Sequence, residues 1–121
     1  MKRTKITIMM RDELADRITP LEVTAYRVGE YFAVHAGRYW DPEAERFKVD
    51  REHWALTHVS TGFAVSVPSD GWATSKDRAI RFAGLLQADP EADWSGTDPD
   101  AIAKRNQSVY TRARDAFRRS A

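Results

Sequence analysis

The sequence predicts an α+β protein, in which an antiparallel sheet of four or five strands carries two C-terminal helices on one face or end. Three observations support this prediction. Apolar and polar residues alternate through several short runs before residue 68, turn residues separate these runs, and helical periodicity replaces the alternation after residue 74. The 121 residues fit one domain that spans residues 1–121.

Composition excludes several classes of site. The chain has no cysteine, which removes disulfide frameworks, thiolate zinc sites and cysteine nucleophiles. No apolar run approaches the ~20 residues of a membrane-spanning helix, and Arg11 interrupts the apolar N-terminal run too early for a signal peptide. We therefore expect a cytoplasmic protein without a membrane partner. The net charge of +1 gives no global field that would favour nucleic acid.

The chain begins with a strand pattern. Ile6, Ile8 and Met10 alternate with polar residues, as in a half-buried strand. In the next segment, residues 11–18, Leu14 and Ile18 lie four apart. This spacing predicts a short helix that ends before Pro20, with an irregular segment as the alternative.

A β-hairpin follows over residues 21–36. Residues 21–28 and 31–36 both alternate, and Gly29-Glu30 between them predicts a two-residue type II′ turn. Two further strands, residues 53–59 and 63–67, flank a turn at residues 60–62. The predicted core of the sheet consists of Val23, Phe32, Val34, Trp54, Leu56, Phe63 and Val65, covered by Ile80, Phe82, Leu86, Val109 and Phe117.

Residues 37–52 are predicted to form a long connection. Most of these residues are charged, yet the segment also contains Tyr39, Trp40, Phe47 and Val49. A purely solvated loop does not require large aromatic side chains. Either the aromatics pack back on the domain, or they form an exposed binding patch.

Two helices are predicted after residue 74. Thr74 lies three residues before Asp77, which approximates a capping box, and an apolar stripe continues to Leu86 before Asp89-Pro90 ends the helix. Asp98-Pro99 starts a second helix that extends to residue 119.

Motifs for catalysis are absent from the sequence. The histidines are His35, His53 and His58, and their spacing matches no metal-binding motif. No nucleophile motif, phosphate-binding glycine loop or anchored pair of carboxylates is present. We therefore expect no enzymatic activity, no catalytic residues, no metal and no cofactor.

Aromatic and arginine side chains outside regular elements predict a protein-binding surface. Three of the four tryptophans fall in predicted loops or turns, and Trp, Tyr and Arg dominate interface hot spots. The first hypothesis is thus a small non-enzymatic protein that binds a host protein. Its predicted partner-binding residues are Tyr39, Trp40, Arg46, Trp72 and Trp94. For each tryptophan, packing against the core is the alternative.

Basic side chains along the two helices give the second hypothesis, nucleic-acid binding. Three arginines of the last helix lie seven residues apart and could follow a phosphate backbone. The predicted nucleic-acid-binding residues are Lys76, Arg81, Arg105, Arg112 and Arg119. In the alternative interpretation, the arginine stems cover the edge of the apolar stripe, and the acidic segment at residues 89–100 folds against the helix and neutralises it.

The segment around Lys76 resembles a known family. Gly71-Trp-Ala-Thr-Ser-Lys-Asp-Arg-Ala is similar to the start of the last helix of double-stranded-RNA-binding domains, in which lysines contact phosphates. Only Lys76 carries over, since Asp77 stands where the family has a second lysine. The composition of the whole chain is similar to that of small accessory proteins of actinobacteria and their phages. That likeness implies binding to a host macromolecule, in some cases to inhibit it.

Overall fold

The computed structural model describes residues 2–12, 17–68 and 74–120, and its five-stranded antiparallel sheet with C-terminal helices confirms the predicted α+β fold. The strands are β1 (Arg3–Asp12), β2 (Arg17–Val28), β3 (Phe32–Asp41), β4 (Arg46–His58) and β5 (Ala64–Val65), and each pairs with the next along the chain. The helices are α1 (Lys76–Ala88), α2 (Pro99–Arg105) and α3 (Gln107–Arg119). No helix among the described residues is long and apolar enough to cross a membrane.

The sheet is curled, and it buries apolar side chains on both faces. On one face the helices cover Phe32, Val34 and Leu56. On the other face, the β1–β2 hairpin encloses a second cluster that includes Ile6 and Val23, which lie opposite each other in the register. The Met9 backbone N–H donates to the Gly62 carbonyl at 2.8 Å, and this bond joins β1 to the turn that precedes β5.

Most of the predicted core is confirmed, with two corrections. Seven of the predicted residues are buried in the main cluster: Phe32, Val34, Leu56, Phe82, Leu86, Val109 and Phe117. Trp54, Val65 and Ile80 are partly buried against it. Val23 belongs to the second cluster instead, because β2 places it on the opposite face. Phe63 is only half-buried and lines a surface groove beside Met9 and Ile18.

The described residues of the segment 11–18 lie in strands and not in the predicted helix. Arg11 continues β1, Arg17 and Ile18 open β2, and residues 13–16, with Leu14, lie outside the described residues. Pro20 is paired with Met9 inside the ladder. The Met9 N–H points away from β2 towards Gly62, so this is a non-hydrogen-bonded pair and the missing N–H of Pro20 falls on the outer edge of β2.

The hairpin over residues 21–36 is confirmed, but its turn is one residue longer than predicted. Val28 lies opposite Phe32, which leaves three residues in the loop. Gly29 adopts φ +70°, a conformation that glycine reaches without a steric penalty.

The predicted helix at residues 99–119 is two helices. Asp98 caps the first as predicted, through bonds from the Asp100 and Ala101 N–H groups. The break falls at Asn106, whose buried side chain donates to the carbonyls of Asp93 and Ile102 and accepts the Asp93 N–H. The two bonds to Asp93 are tertiary contacts, and they stabilise a non-helical Asn106. In α1, the side chain that caps the helix is Ser75, which accepts the Arg78 N–H, rather than Thr74.

Candidate binding surface on the β3–β4 arm

The predicted connection at residues 37–52 is instead the distal part of a β-hairpin. β3 continues to Asp41 and β4 begins at Arg46, so the prediction of a long loop is wrong. The alternation of apolar residues was present, with Trp40 opposite Phe47, but frequent charges obscured it. Charges are tolerated here because the end of the hairpin is largely exposed to solvent on both faces.

A large bulge separates this segment from the rest of the sheet. Ala36 pairs with Trp54 but Gly37 pairs with Asp50, so residues 51–53 of β4 have no partner in β3. A Cβ atom at Gly37 would lie 2.8 Å from the His53 carbonyl oxygen, which explains why glycine occupies this position. Bulges of this kind bend a strand. We call residues 37–50, beyond the bulge, the β3–β4 arm.

One face of the arm carries Tyr39 and a network of charges. Tyr39 lies opposite Lys48 and is 50% exposed. The Lys48 ammonium lies 2.7 Å from the Asp41 carboxylate, and this hydrogen bond is the main reason why the pKa of Asp41 is lowered. Arg46, at the start of β4, is exposed. The face therefore combines a large aromatic with cationic side chains.

The other face of the arm is more apolar. The rings of Trp40 and Phe47 pack edge to face with centroids 5.1 Å apart, and Val49 on the same face is 45% exposed. The Trp40 Nε1 atom is buried, and within the described part of the chain it has no hydrogen-bond acceptor. Trp40 is half-buried in β3, so its predicted position in a loop is wrong.

A cleft of about 510 Å³ lies between the arm and the end of β1. Its walls are formed by Met10, Arg11, Arg38, Tyr39, Trp40, Pro42 and Phe47. The Arg38 guanidinium donates to the carbonyls of Ala36 and Gly37 in its own strand, at 3.2 and 3.3 Å. Burial and, to a smaller extent, the charge of Arg51 lower the pKa of Arg38.

Of the other two predicted tryptophans, the structure describes only Trp94. Trp94 is 6% exposed and belongs to the main core, where its indole N–H donates to the Leu86 carbonyl at 2.9 Å. It is therefore not available as an exposed contact for a partner. Trp72 lies outside the described residues.

Two of the three predicted nucleic-acid-binding arginines in the last two helices contact the acidic segment. Arg112 forms ion pairs with Asp89 and Glu91, at 2.8 and 3.1 Å. The hydrogen bond from Arg112 lowers the pKa of Asp89, and Asp89 in turn raises the pKa of Arg112. Arg105 pairs with Asp93 at 3.5 Å. This is the arrangement that the alternative interpretation of the acidic segment predicted.

The other three basic residues of this set lie on α1 and α3. The Lys76 ammonium lies 3.6 Å from the centroid of the Tyr26 ring. Arg81 lies over the Phe117 ring and donates to Ser120. Arg119 is exposed near the end of α3.

The histidines are used in packing. His58 bridges the Thr61 hydroxyl and the Trp94 carbonyl, at 3.0 and 2.6 Å, and His53 accepts the Thr74 N–H. No group of three or more His, Asp or Glu side chains among the described residues is placed to hold a metal ion.

His35 is a buried neutral imidazole. It is 3% exposed, its Nδ1 lies 2.9 Å from the Ala36 carbonyl and its Nε2 lies 2.9 Å from the Thr57 hydroxyl. Because a carbonyl only accepts, Nδ1 carries the proton and Nε2 accepts from Thr57. Burial is the main reason why the pKa of His35 is lowered.

We expect this histidine to make folding pH-dependent. Above a pH of about 6.5 the His35 ring is neutral in both the folded and the unfolded state. Below this pH, the ring becomes protonated in the unfolded chain but stays neutral in the folded chain. The free energy of unfolding should then fall with decreasing pH, by up to about 1.4 kcal/mol per unit, until the lowered folded-state pKa is reached. Urea titrations from pH 7.5 to 5 measure the slope. A His35→Gln variant with an unchanged slope would contradict this account.

Sequence reasoning missed Arg38 and Val49 as parts of the candidate surface. The signal that could have found them is the alternation Arg38-x-Trp40 and Phe47-x-Val49 around the Pro-containing turn at residues 42–45. This alternation gives two strands in register. Comparisons with protein-family models, with curated proteins and with solved structures give no significant match to this chain.

Proposed function

We propose that the protein is a small, non-enzymatic binding protein that acts by interaction with a host protein, and that the β3–β4 arm makes the contact. The observation that carries this proposal is the exposure of Tyr39, a large aromatic on a hairpin that the bulge at Gly37 separates from the rest of the sheet. Exposed apolar side chains with a cationic rim are typical of interaction sites. The contact residues are Tyr39, Trp40 and Arg46.

Nucleic-acid binding through α3 remains the alternative function, with less support. Arg105 and Arg112 already bind carboxylates within the chain. A phosphate backbone would have to displace those carboxylates before it could bind. The arm offers a surface that does not require any such exchange.

Affinity capture from a host-cell lysate tests the proposal. We expect Tyr39→Ser to reduce recovery of the captured protein at least about tenfold, as for a central aromatic of an interface. Trp40→Ala should also reduce it, although this change removes the packing on Phe47 as well. Ile18→Ser is the matched control, because Ile18 is a comparably exposed apolar residue of the sheet, outside the arm.

Thermal unfolding of each variant shows whether the fold is retained. Recovery that is unchanged in Tyr39→Ser, or equally reduced in Ile18→Ser, would contradict a role of the arm. Binding to DNA or RNA that weakens steeply with salt and requires Arg105 or Arg119 would favour the alternative.

A further inference from the structure

The cleft beside the arm has an unpaired strand edge in one wall. The β2–β3 ladder contains only three residue pairs and ends at Tyr26 and Val34, whereas β3 continues to Asp41 along β4. Within the described chain, no strand pairs with the other edge of β3 beyond Val34. The carbonyls of Ala36 and Gly37 already accept hydrogen bonds from Arg38, so the edge is open to an added strand beyond Gly37. Such an edge presents backbone N–H and C=O groups in alternation, which is the arrangement that an added strand requires.

The opposing edge, that of β2, is protected in a way that the β3 edge is not. Pro20 places its missing N–H on this outer edge, as deduced above from the Met9–Gly62 bond. Proline on an edge strand blocks strand addition. An extended chain that enters between the two hairpins is therefore expected to pair with β3.

The positive charge of the cleft favours binding of an anion. Arg38 lies close enough to Arg51 for their charges to interact, and no carboxylate of the described residues lies within ion-pair distance of the Arg38 guanidinium. A carboxylate supplied by an occupant would compensate this charge with a charge-assisted hydrogen bond.

The indole of Trp40 also lacks an acceptor. Its buried Nε1 has no hydrogen-bond partner among the residues that the structure describes. An unsatisfied buried donor costs about 1–3 kcal/mol, so such groups are normally paired in the functional state. Trp40 lines the cleft, so an occupant that contacts its ring can supply the missing acceptor.

We propose that this cleft binds an extended segment of the partner protein in which a Glu or Asp residue lies beside a large apolar residue. The carboxylate binds Arg38, the apolar side chain packs against Met10 and Phe47, and the backbone pairs with the free edge of β3. This inference rests on the proposed function and specifies the chemistry of the partner. Nucleic acid fits less well, because phosphates only accept hydrogen bonds and cannot donate to the carbonyls of β3 beyond Gly37.

Selection from a displayed library of random nine-residue peptides on the immobilised full chain tests the proposal. We expect enriched peptides to share an acidic residue adjacent to an aromatic or a large aliphatic residue. Fluorescence anisotropy of a labelled enriched peptide then measures Kd. Replacing its acidic residue with the corresponding amide should raise Kd about tenfold or more, as expected for a lost charge-assisted hydrogen bond.

Binding of the same peptide to variants of the protein tests whether its carboxylate binds in the cleft. Arg38→Gln should raise Kd about as much as the amide peptide does, and the two changes together should be no worse than either alone. Arg38→Lys should have a smaller effect, and Trp40→Phe, which removes the N–H together with part of the ring, should weaken binding severalfold. Arg118→Gln is the matched control, because it removes the same charge from an exposed position on α3 and should leave Kd unchanged.

Three results would overturn the proposal: no enriched peptide, enriched peptides without an acidic residue, or a Kd that does not respond to the amide substitution or to Arg38→Gln. A 20-nucleotide single strand could instead displace the labelled peptide from the unmodified protein and fail to bind the Arg38→Gln variant. That result would assign the site to nucleic acid and would also overturn the proposal. Capture of the host protein that depends on Tyr39 but not on Arg38 would overturn this inference while the proposed function remains supported.

Discussion

Replacing Trp94 with alanine is expected to lower the free energy of unfolding by about 3–5 kcal/mol, the usual cost of removing a buried tryptophan side chain. The indole is 6% exposed and packs edge to face on Phe32, with ring centroids 5.0 Å apart. Its N–H is the donor to the Leu86 carbonyl at the end of α1. The backbone carbonyl of the same residue accepts a hydrogen bond from His58. Trp94 thus fixes the acidic segment to both a helix and the sheet.

Urea unfolding followed by far-ultraviolet circular dichroism measures this loss. Trp94→Phe is the matched variant, since it keeps most of the buried ring and removes the N–H, and we expect it to cost about 1–3 kcal/mol. If Trp94 were mainly a partner contact, alanine would change stability by less than about 0.5 kcal/mol, as for other surface positions. That result would reject its assignment to the core.

Gly62→Ala is expected to destabilise the protein by about 2–4 kcal/mol, from the left-handed backbone and the steric overlap together. Gly62 has φ +75°, and an added Cβ atom would lie 2.9 Å from the Thr7 carbonyl oxygen and 3.2 Å from Met9 Cγ. Relief of this overlap requires β1 to move away from the turn. The movement would stretch the Met9–Gly62 hydrogen bond, which joins β1 to the other side of the curled sheet.

Gly84→Ala provides a control, because we expect it to change the stability of the protein in the opposite direction. A Cβ atom at Gly84, inside α1, would meet no other atom within 4 Å. Alanine there should stabilise the protein by about 0.5–1 kcal/mol, because it restricts the unfolded chain and favours the helix. Urea midpoints of the two variants test both expectations. Similar midpoint shifts of the same sign would contradict the roles assigned to the two glycines.

The sequence was sufficient to predict those helices and strands whose two faces differ strongly in polarity. The strand at Ile6 and Ile8, the hairpin around Gly29 and helix α1 all followed from periodicity, and the structure confirms them. The β3–β4 arm was missed because its two faces both carry charges, which weakens the period-two signal. Its bulge depends on the close approach of Gly37 to the His53 backbone, a contact that no local pattern encodes.

The candidate site was predicted only in part, for a related reason. Tyr39 and Trp40 were selected as aromatics in a charged segment, but Arg38 was not, because its place in the cleft depends on how the arm and β1 approach each other. The break at Asn106 likewise depends on Asp93, thirteen residues away.

The sequence by itself determined the α+β class, most of the alternating strands and the helix starts near Thr74 and at Asp98, because these depend on neighbours within one or two turns of chain. The tertiary structure alone decided which aromatics are exposed and which are buried. Trp94 and Tyr39 both occur in charged, polar stretches, yet one is in the core and the other projects into solvent. The physical reason is that the burial of Trp94 depends on its contacts with Phe32 and Leu86. Contacts of this kind produce no periodic pattern in the sequence around Trp94.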